Sequence, residues 1–196
     1  MHGFGPVHGF MVWNLYLAAI PAVLALALFR RPQRVGVTWM LGLVAWVLFL
    51  PNAPYVLTDV VHMVDDLRVS PDRTHSYEVV ATYATFFACG LVSYVLSLKL
   101  FSRFLRRVAQ PQVVLATLIA LHGLCVVAMY LGRFMRFNSW DVLFAPGAVL
   151  ASVIGVPRPT TLVVLVAMFV VVGVSTCVTA AAGSKALSQL RRLFVR

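Results

Sequence analysis

Five blocks of apolar side chains, each near the length that crosses a lipid bilayer, constrain this chain more than any other feature. They cover residues 11–29, 35–50, 79–98, 113–131 and 161–182. A helix rises about 1.5 Å per residue, so ~20 residues cross a hydrocarbon layer ~30 Å thick. The blocks lack the regular polar interruptions that a water-facing helix or strand surface imposes. Only 11% of the 196 residues are charged, against about 25% in ordinary soluble domains. The expected fold is an all-α membrane protein, a polytopic bundle of about five transmembrane helices forming one domain over 1–196. The second block is short, which places Pro51–Tyr55 at the outer interface. A sixth apolar run, 140–156, is broken by Pro146 and Gly147 and is expected to be interfacial or re-entrant.

A net charge of +10 raises the question of nucleic acid, but the distribution of the charges points to a membrane. Arg30, Arg31 and Arg34 follow the first block, Lys99, Arg103, Arg106 and Arg107 the third, and Lys185, Arg191, Arg192 and Arg196 the fifth. None of these groups includes an acid. All six acids (Asp59, Asp65, Asp66, Asp72, Glu78 and Asp141) fall in the other two connections. Excess Lys and Arg in alternate loops marks the cytoplasmic side. The expected topology is therefore multi-pass in the plasma membrane, with the N-terminus outside and the C-terminus cytoplasmic. The expected partners are the bilayer and anionic lipids at its cytoplasmic face, not nucleic acid, and no feature names a protein partner. Residues 1–9 carry no Lys or Arg and do not resemble the start of a cleaved signal peptide. Cys89, Cys125 and Cys177 lie far apart within blocks and are expected to be buried small apolar residues.

The polar chemistry concentrates in two segments. PNAPYVLTDVVHMVDD (51–66) follows the second block. At 100° per residue, Tyr55, Thr58, Asp59, His62, Asp65 and Asp66 share an arc of about 120°, with Val56, Leu57, Val60, Val61, Met63 and Val64 opposite. This predicts an amphipathic helix on the outer face, capped by Asn52 with Pro54 in its first turn. Three roles compete for its polar face. It is an interfacial surface with the apolar side in lipid or on the bundle. Alternatively, Asp59, His62 and Asp66, at i, i+3 and i+7, are ligands for zinc, manganese or a similar divalent metal, completed from elsewhere. In the third, Asp59 and His62 are catalytic, as general base or proton relay.

The second segment, LGRFMRFNSWD (131–141), ends the fourth block on the same side. Arg133 and Arg136 are i, i+3 neighbours suited to pairing with Asp59 or Asp66. Their competing role is snorkelling to headgroups, while Asn138 and Asp141 form a capping box and Trp140 anchors at the interface. Thr82, Tyr83, Thr85, Ser93, Tyr94 and Ser97 mark the third block as one that faces other helices. His122, near the middle of the fourth, reads as helix packing ahead of proton transfer.

FLPNAPYVLTDVVHM (49–63) and LGRFMRFNSWDVL (131–143) together resemble the signature of the domain of unknown function 1361 family of bacterial membrane proteins, and WNLYLAAIP (13–21) is similar to its first shared span. The resemblance implies a polytopic membrane protein of uncharacterised activity and supplies no catalytic residue or cofactor. Its family-like polar positions here are Asn52, Tyr55, Thr58, Asp59, His62, Arg133, Arg136, Asn138, Ser139 and Asp141.

Two functions follow from these segments. One is an extracytoplasmic polar site for a lipid headgroup, small polar ligand or divalent cation. Its ligand-binding residues would be Asn52, Tyr55, Thr58, Arg133, Arg136, Asn138 and Asp141, with Asp59, His62, Arg133 and Arg136 converging in a concave pocket. The other is a non-enzymatic scaffold or accessory subunit whose polar clusters lock two outer segments together. A transporter would need polar groups through the midplane, where only His122 and scattered hydroxyls lie. The sequence contains no HExxH, P-loop or triad motif.

Overall fold

Proline and aspartate set the helix starts. Asp72 caps the helix that starts at Arg73, its carboxylate accepting from the His75 N–H at 2.7 Å, and Pro111 opens another helix where its missing N–H is harmless. The computed structural model describes residues 9–30, 36–137, 141–154 and 159–194. Among them the elements are α1 (Gly9–Phe29), α2 (Val37–Phe49), α3 (Asn52–Tyr55), a 3-10 turn (Val56–Asp59), α4 (Val60–Arg68), α5 (Arg73–Leu105), α6 (Pro111–Phe134), α7 (Asp141–Phe144), α8 (Pro146–Ile154) and α9 (Pro159–Phe194).

Five helical stretches are long and apolar enough to cross a membrane: Gly9–Phe29, Val37–Arg68, Arg73–Leu105, Pro111–Phe134 and Pro159–Gly183. The chain is a polytopic helical membrane protein. The nine residues of α8 span only about 14 Å, too short to cross.

The expected break after Leu50 is a tightening instead. Leu50, Pro51, Val56 and Val60 all keep right-handed helical backbone, so α2, α3 and α4 form one irregular rod. Pro51 and Pro54 remove two N–H donors from it. The Asn52 side-chain amide donates to the Phe49 carbonyl at 3.1 Å and the Ala53 N–H to the Leu50 carbonyl at 3.2 Å. Asn52 thus satisfies a carbonyl within the rod and is not the N-terminal cap expected of it.

Side-chain pairs fix the helix directions. Met11 packs with Tyr83 and Phe86, Ser93 Oγ donates to the Ala18 carbonyl, and Phe29 meets Phe101 and Phe104 at ring distances of 5.3 and 5.4 Å. The helices α1 and α5 therefore run parallel. The α2–α4 rod runs against them: Trp39 lies on Phe104 at 5.5 Å, Trp46 on Phe101 at 4.9 Å and Val56 on Gly90. Tyr130 meets Thr161 and His122 meets Phe169, so α9 runs against α6. The starts of α1, α5 and α9 thus share one end of the bundle with the finishes of the rod and α6. Arg30, Arg103, Arg106 and Arg107 lie at the other end; Arg31, Arg34 and Arg196 lie outside the described residues.

The core between these ends is aromatic and aliphatic. Phe29 is nearly enclosed by Trp39, Trp46, Phe101 and Phe104. In mid-bundle, His122 Nε2 lies 3.1 Å from the Phe169 carbonyl and Nδ1 3.0 Å from the Tyr94 hydroxyl. A carbonyl only accepts, so Nε2 donates; in the neutral ring Nδ1 accepts from Tyr94. Both nitrogens are engaged in tying α6 to α5 and α9, a packing role. Of the cysteines only Cys125 is buried; Cys89 and Cys177 are exposed. Those two differ from the expectation because they point away from neighbouring helices, on helices apolar enough to be surrounded by lipid.

Candidate functional site

Along 55–66 the chain departs from a regular α-helix. Val56–Asp59 forms a 3-10 turn, advancing each residue by about 120° rather than about 100°. Asp59 ends 2% exposed, while Val60, Val61 and Val64 face outward. Asp59 and Asp66 are turned toward the bundle, as suits ionisable groups near hydrocarbon, whereas Asp65 pairs with Arg68 on the exposed side.

Burying a carboxylate is costly unless it is paired and hydrogen-bonded. Asp59 is both. Asn14 Nδ2, from α1, donates to Oδ2 at 2.9 Å, and Arg133 Nη1, from the last turn of α6, donates to Oδ1 at 3.3 Å. His62 Nε2 stands 4.0 Å from Oδ1, its ring 4.9 Å from that of Phe10. This knot ties α1, the rod and α6 together at one end of the bundle. Asp66 leaves the group, accepting from the buried Tyr83 hydroxyl of α5 at 2.9 Å. The Asp59, His62, Asp66 metal set expected from spacing is therefore not assembled. Among the described residues no three His, Cys, Asp or Glu side chains gather to hold a metal ion. The physical reason is that Tyr83 draws Asp66 toward α5 while Asn14 and Arg133 engage the two oxygens of Asp59, so only Asp59 and His62 stay near each other.

Beside the knot lies a cavity of about 560 Å³ between α1, the rod, α6 and α8. Its polar wall is made by Asn14, Asn52, Tyr55 and Arg136. Leu17, Val47, Leu48, Leu124 and Ala128 form much of the rest, and Val149 brings α8 to its edge. Helix direction orders these groups. On each of α1, the rod and α6, the polar residue stands nearer the bundle end and the aliphatic ones about a turn or more deeper. Gly132 keeps the wall open, since a Cβ there would sit 3.2 Å from the Tyr55 ring.

The predicted ligand-binding residues divide accordingly. Asn52, Tyr55 and Arg136 line the cavity; Arg133 belongs to the knot with Asp59 and His62, none of which lines it. Thr58 bonds back to the Tyr55 carbonyl at 2.8 Å. Asp141 opens α7 and is not among the residues that line the cavity, and Asn138, like Ser139 and Trp140, lies outside the described residues. The single concave pocket expected for Asp59, His62, Arg133 and Arg136 is two adjoining features. The residue that joins them, Asn14, both lines the cavity and donates to Asp59. Sequence reasoning passed over it, although a lone carboxamide inside an apolar block was the available signal.

No curated protein and no solved structure matches the chain. A family model does, over residues 13–174, a stretch that takes in Asn14, the whole 51–66 segment and the Arg133–Asp141 segment. The chain belongs to the family described as Protein of unknown function (DUF1361).

Proposed function

We propose that the protein binds an amphiphile from the membrane in the cavity, with the polar group among Asn14, Asn52, Tyr55 and Arg136 and the apolar part against Leu17, Val47, Leu124 and Ala128. The observation that carries this reading is the polarity gradient of the wall. Sites that bind ligands through a few placed polar groups against an apolar lining are the usual form of small-molecule pocket. Among the described residues the wall includes an arginine and neither Asp nor Glu, which favours a lipid headgroup over a cation. Asp59, His62 and Arg133 act in this reading as positioning residues that hold the cavity walls together, with Asp59 too enclosed to reach an occupant.

Native mass spectrometry of protein released from lipid nanodiscs tests the proposal. The wild type is expected to retain phospholipid, and Ala128→Trp, which intrudes into the apolar part of the cavity, to lose most of it while still folding. Equal retention by both chains would sink the proposal.

The scaffold alternative draws support from one specific feature, the burial of Asp59 in a three-helix tie. It separates from lipid binding in the same experiment, since a scaffold has no occupant to lose.

The cavity end is assigned to the extracytoplasmic face of the cell membrane and the Arg30 and Arg103–Arg107 end to anionic lipid at the cytoplasmic face, on the positive-inside rule. Single cysteines labelled by an impermeant maleimide on intact cells are expected to react at position 69, between α4 and α5, and not at position 108. The reverse pattern would invert the topology.

A further inference from the structure

Arg136 is the one non-glycine residue with positive φ among the described residues, at 60°. Helices often end on a residue in this left-handed region, and glycine usually fills the position because a side chain is disfavoured there. At the end of α6 the Met135 and Phe137 N–H groups both donate to the Leu131 carbonyl, at 3.0 and 3.2 Å. That closure needs only the backbone of residue 136. The chain nevertheless carries its largest cationic side chain there.

The two arginines of this segment are used differently. Arg133 is engaged by Asp59. Among the described residues Arg136 makes no ion pair and contributes the one charged side chain of the cavity wall. A guanidinium suits phosphate through paired N–H donors, and Asn52 and Tyr55 beside it add neutral donors. With no acid among the described residues of the wall, an occupant with a net negative headgroup is compensated, whereas a zwitterionic one brings a cation that none of them meets.

Resting on the cavity reading above, we propose that Arg136 is the specificity-determining residue of the site and selects phospholipids with a net negative headgroup over zwitterionic ones. The left-handed backbone conformation is retained for the side chain it presents. Phosphate is the recognised group, and the aliphatic wall commits the site to a lipid rather than to free phosphate.

The test uses the full-length protein in nanodiscs of equal phosphatidylglycerol and phosphatidylcholine with matched chains, read by native mass spectrometry of retained lipid. The wild type is expected to favour phosphatidylglycerol by roughly tenfold, the contribution of one charged hydrogen bond. Arg136→Gln and Arg136→Gly are expected to bring the ratio near one, and Arg136→Lys to keep part of the preference. Millimolar inorganic phosphate is expected not to displace the lipid; displacement would overturn the commitment to a lipid. Arg136→Gly is also expected to raise the thermal midpoint, because glycine relieves the backbone while the closing hydrogen bonds remain. An arginine that merely snorkels to headgroups or supports the helix end would show an unchanged lipid ratio, or a lowered midpoint with Arg136→Gly, and either result overturns the assignment. If Ala128→Trp abolishes retention while the Arg136 variants keep the wild-type ratio, this inference fails and the cavity reading stands. If Ala128→Trp, or Leu124→Trp should the first variant not fold, changes nothing, the cavity reading itself has failed.

Discussion

Replacing Gly90 by alanine is expected to destabilise the folded chain by about 3 kcal/mol, at the upper end of what overpacking costs. A Cβ at this position would overlap a Val56 methyl group and lie 2.5 Å from the Ala53 carbonyl oxygen. The methyl group has some freedom to move, but the carbonyl is backbone and does not. Small residues let membrane helices approach closely, and here the approach sets the register of the rod against α5. That register delivers Asp59, three residues beyond Val56, to Asn14 and Arg133. Gly123→Ala, with nothing within 4 Å of the added carbon, is the matched control. It is expected to be stabilising by about 0.5–1 kcal/mol, the helical preference for alanine. Reversible unfolding in mixed detergent micelles measures both. A Gly90→Ala chain as stable as wild type would show that the contact between the rod and α5 is loose and that the register is set elsewhere.

Removing one member of the knot is expected to cost about as much. Asp59→Ala leaves Arg133, whose side chain is 24% exposed, without its carboxylate, and Arg133→Ala leaves a carboxylate that is 3% exposed with only Asn14 and a distant His62. Breaking a buried pair from one side typically costs about 3–5 kcal/mol, whereas replacing both members by apolar groups is often close to neutral. Asp59→Leu combined with Arg133→Met is therefore expected to be markedly more stable than Asp59→Ala or Arg133→Ala alone. The same unfolding assay, with the Asp59→Ala, Arg133→Ala double variant added to the two alanine singles, gives the non-additivity that defines coupling. If either single variant costs under about 1 kcal/mol, within the range of solvent-exposed pairs, the knot is a surface ornament and not a tie.

How far the sequence revealed this arrangement depends on which physical signal was local. The membrane bundle was legible because apolar length is a property of contiguous residues, and in an up-and-down succession of spans every second connection, here the basic ones, falls at the same end. The pairing of Asp59 with an arginine from 133–136 was legible as chemistry, but not which arginine. That choice turns on Arg136 adopting a left-handed conformation that no glycine announced. The 3-10 turn at Val56–Asp59 was hidden because Pro51 and Pro54 suggest a fresh helix start rather than a continuing rod, and a wheel drawn at a uniform 100° then places Asp59 with Asp66. Asn14 and Tyr83, which claim those two acids, sit in blocks where single polar residues have no sequence neighbour to reveal their partner. The cavity was out of reach for the same reason, being a property of four separate segments.

Asn14 gives the bundle end one more property. A single carboxamide borders both the cavity and the acid that fastens the helices, so on the proposed lipid-binding reading the two equilibria are linked and the linkage is reciprocal. An occupant that leaves the amide on Asp59 and braces it is held more tightly by the same factor by which it firms the fastening. One that draws the amide to itself weakens the fastening equally. Lipid identity would then register as mechanical firmness across the three helices, without any helix having to move.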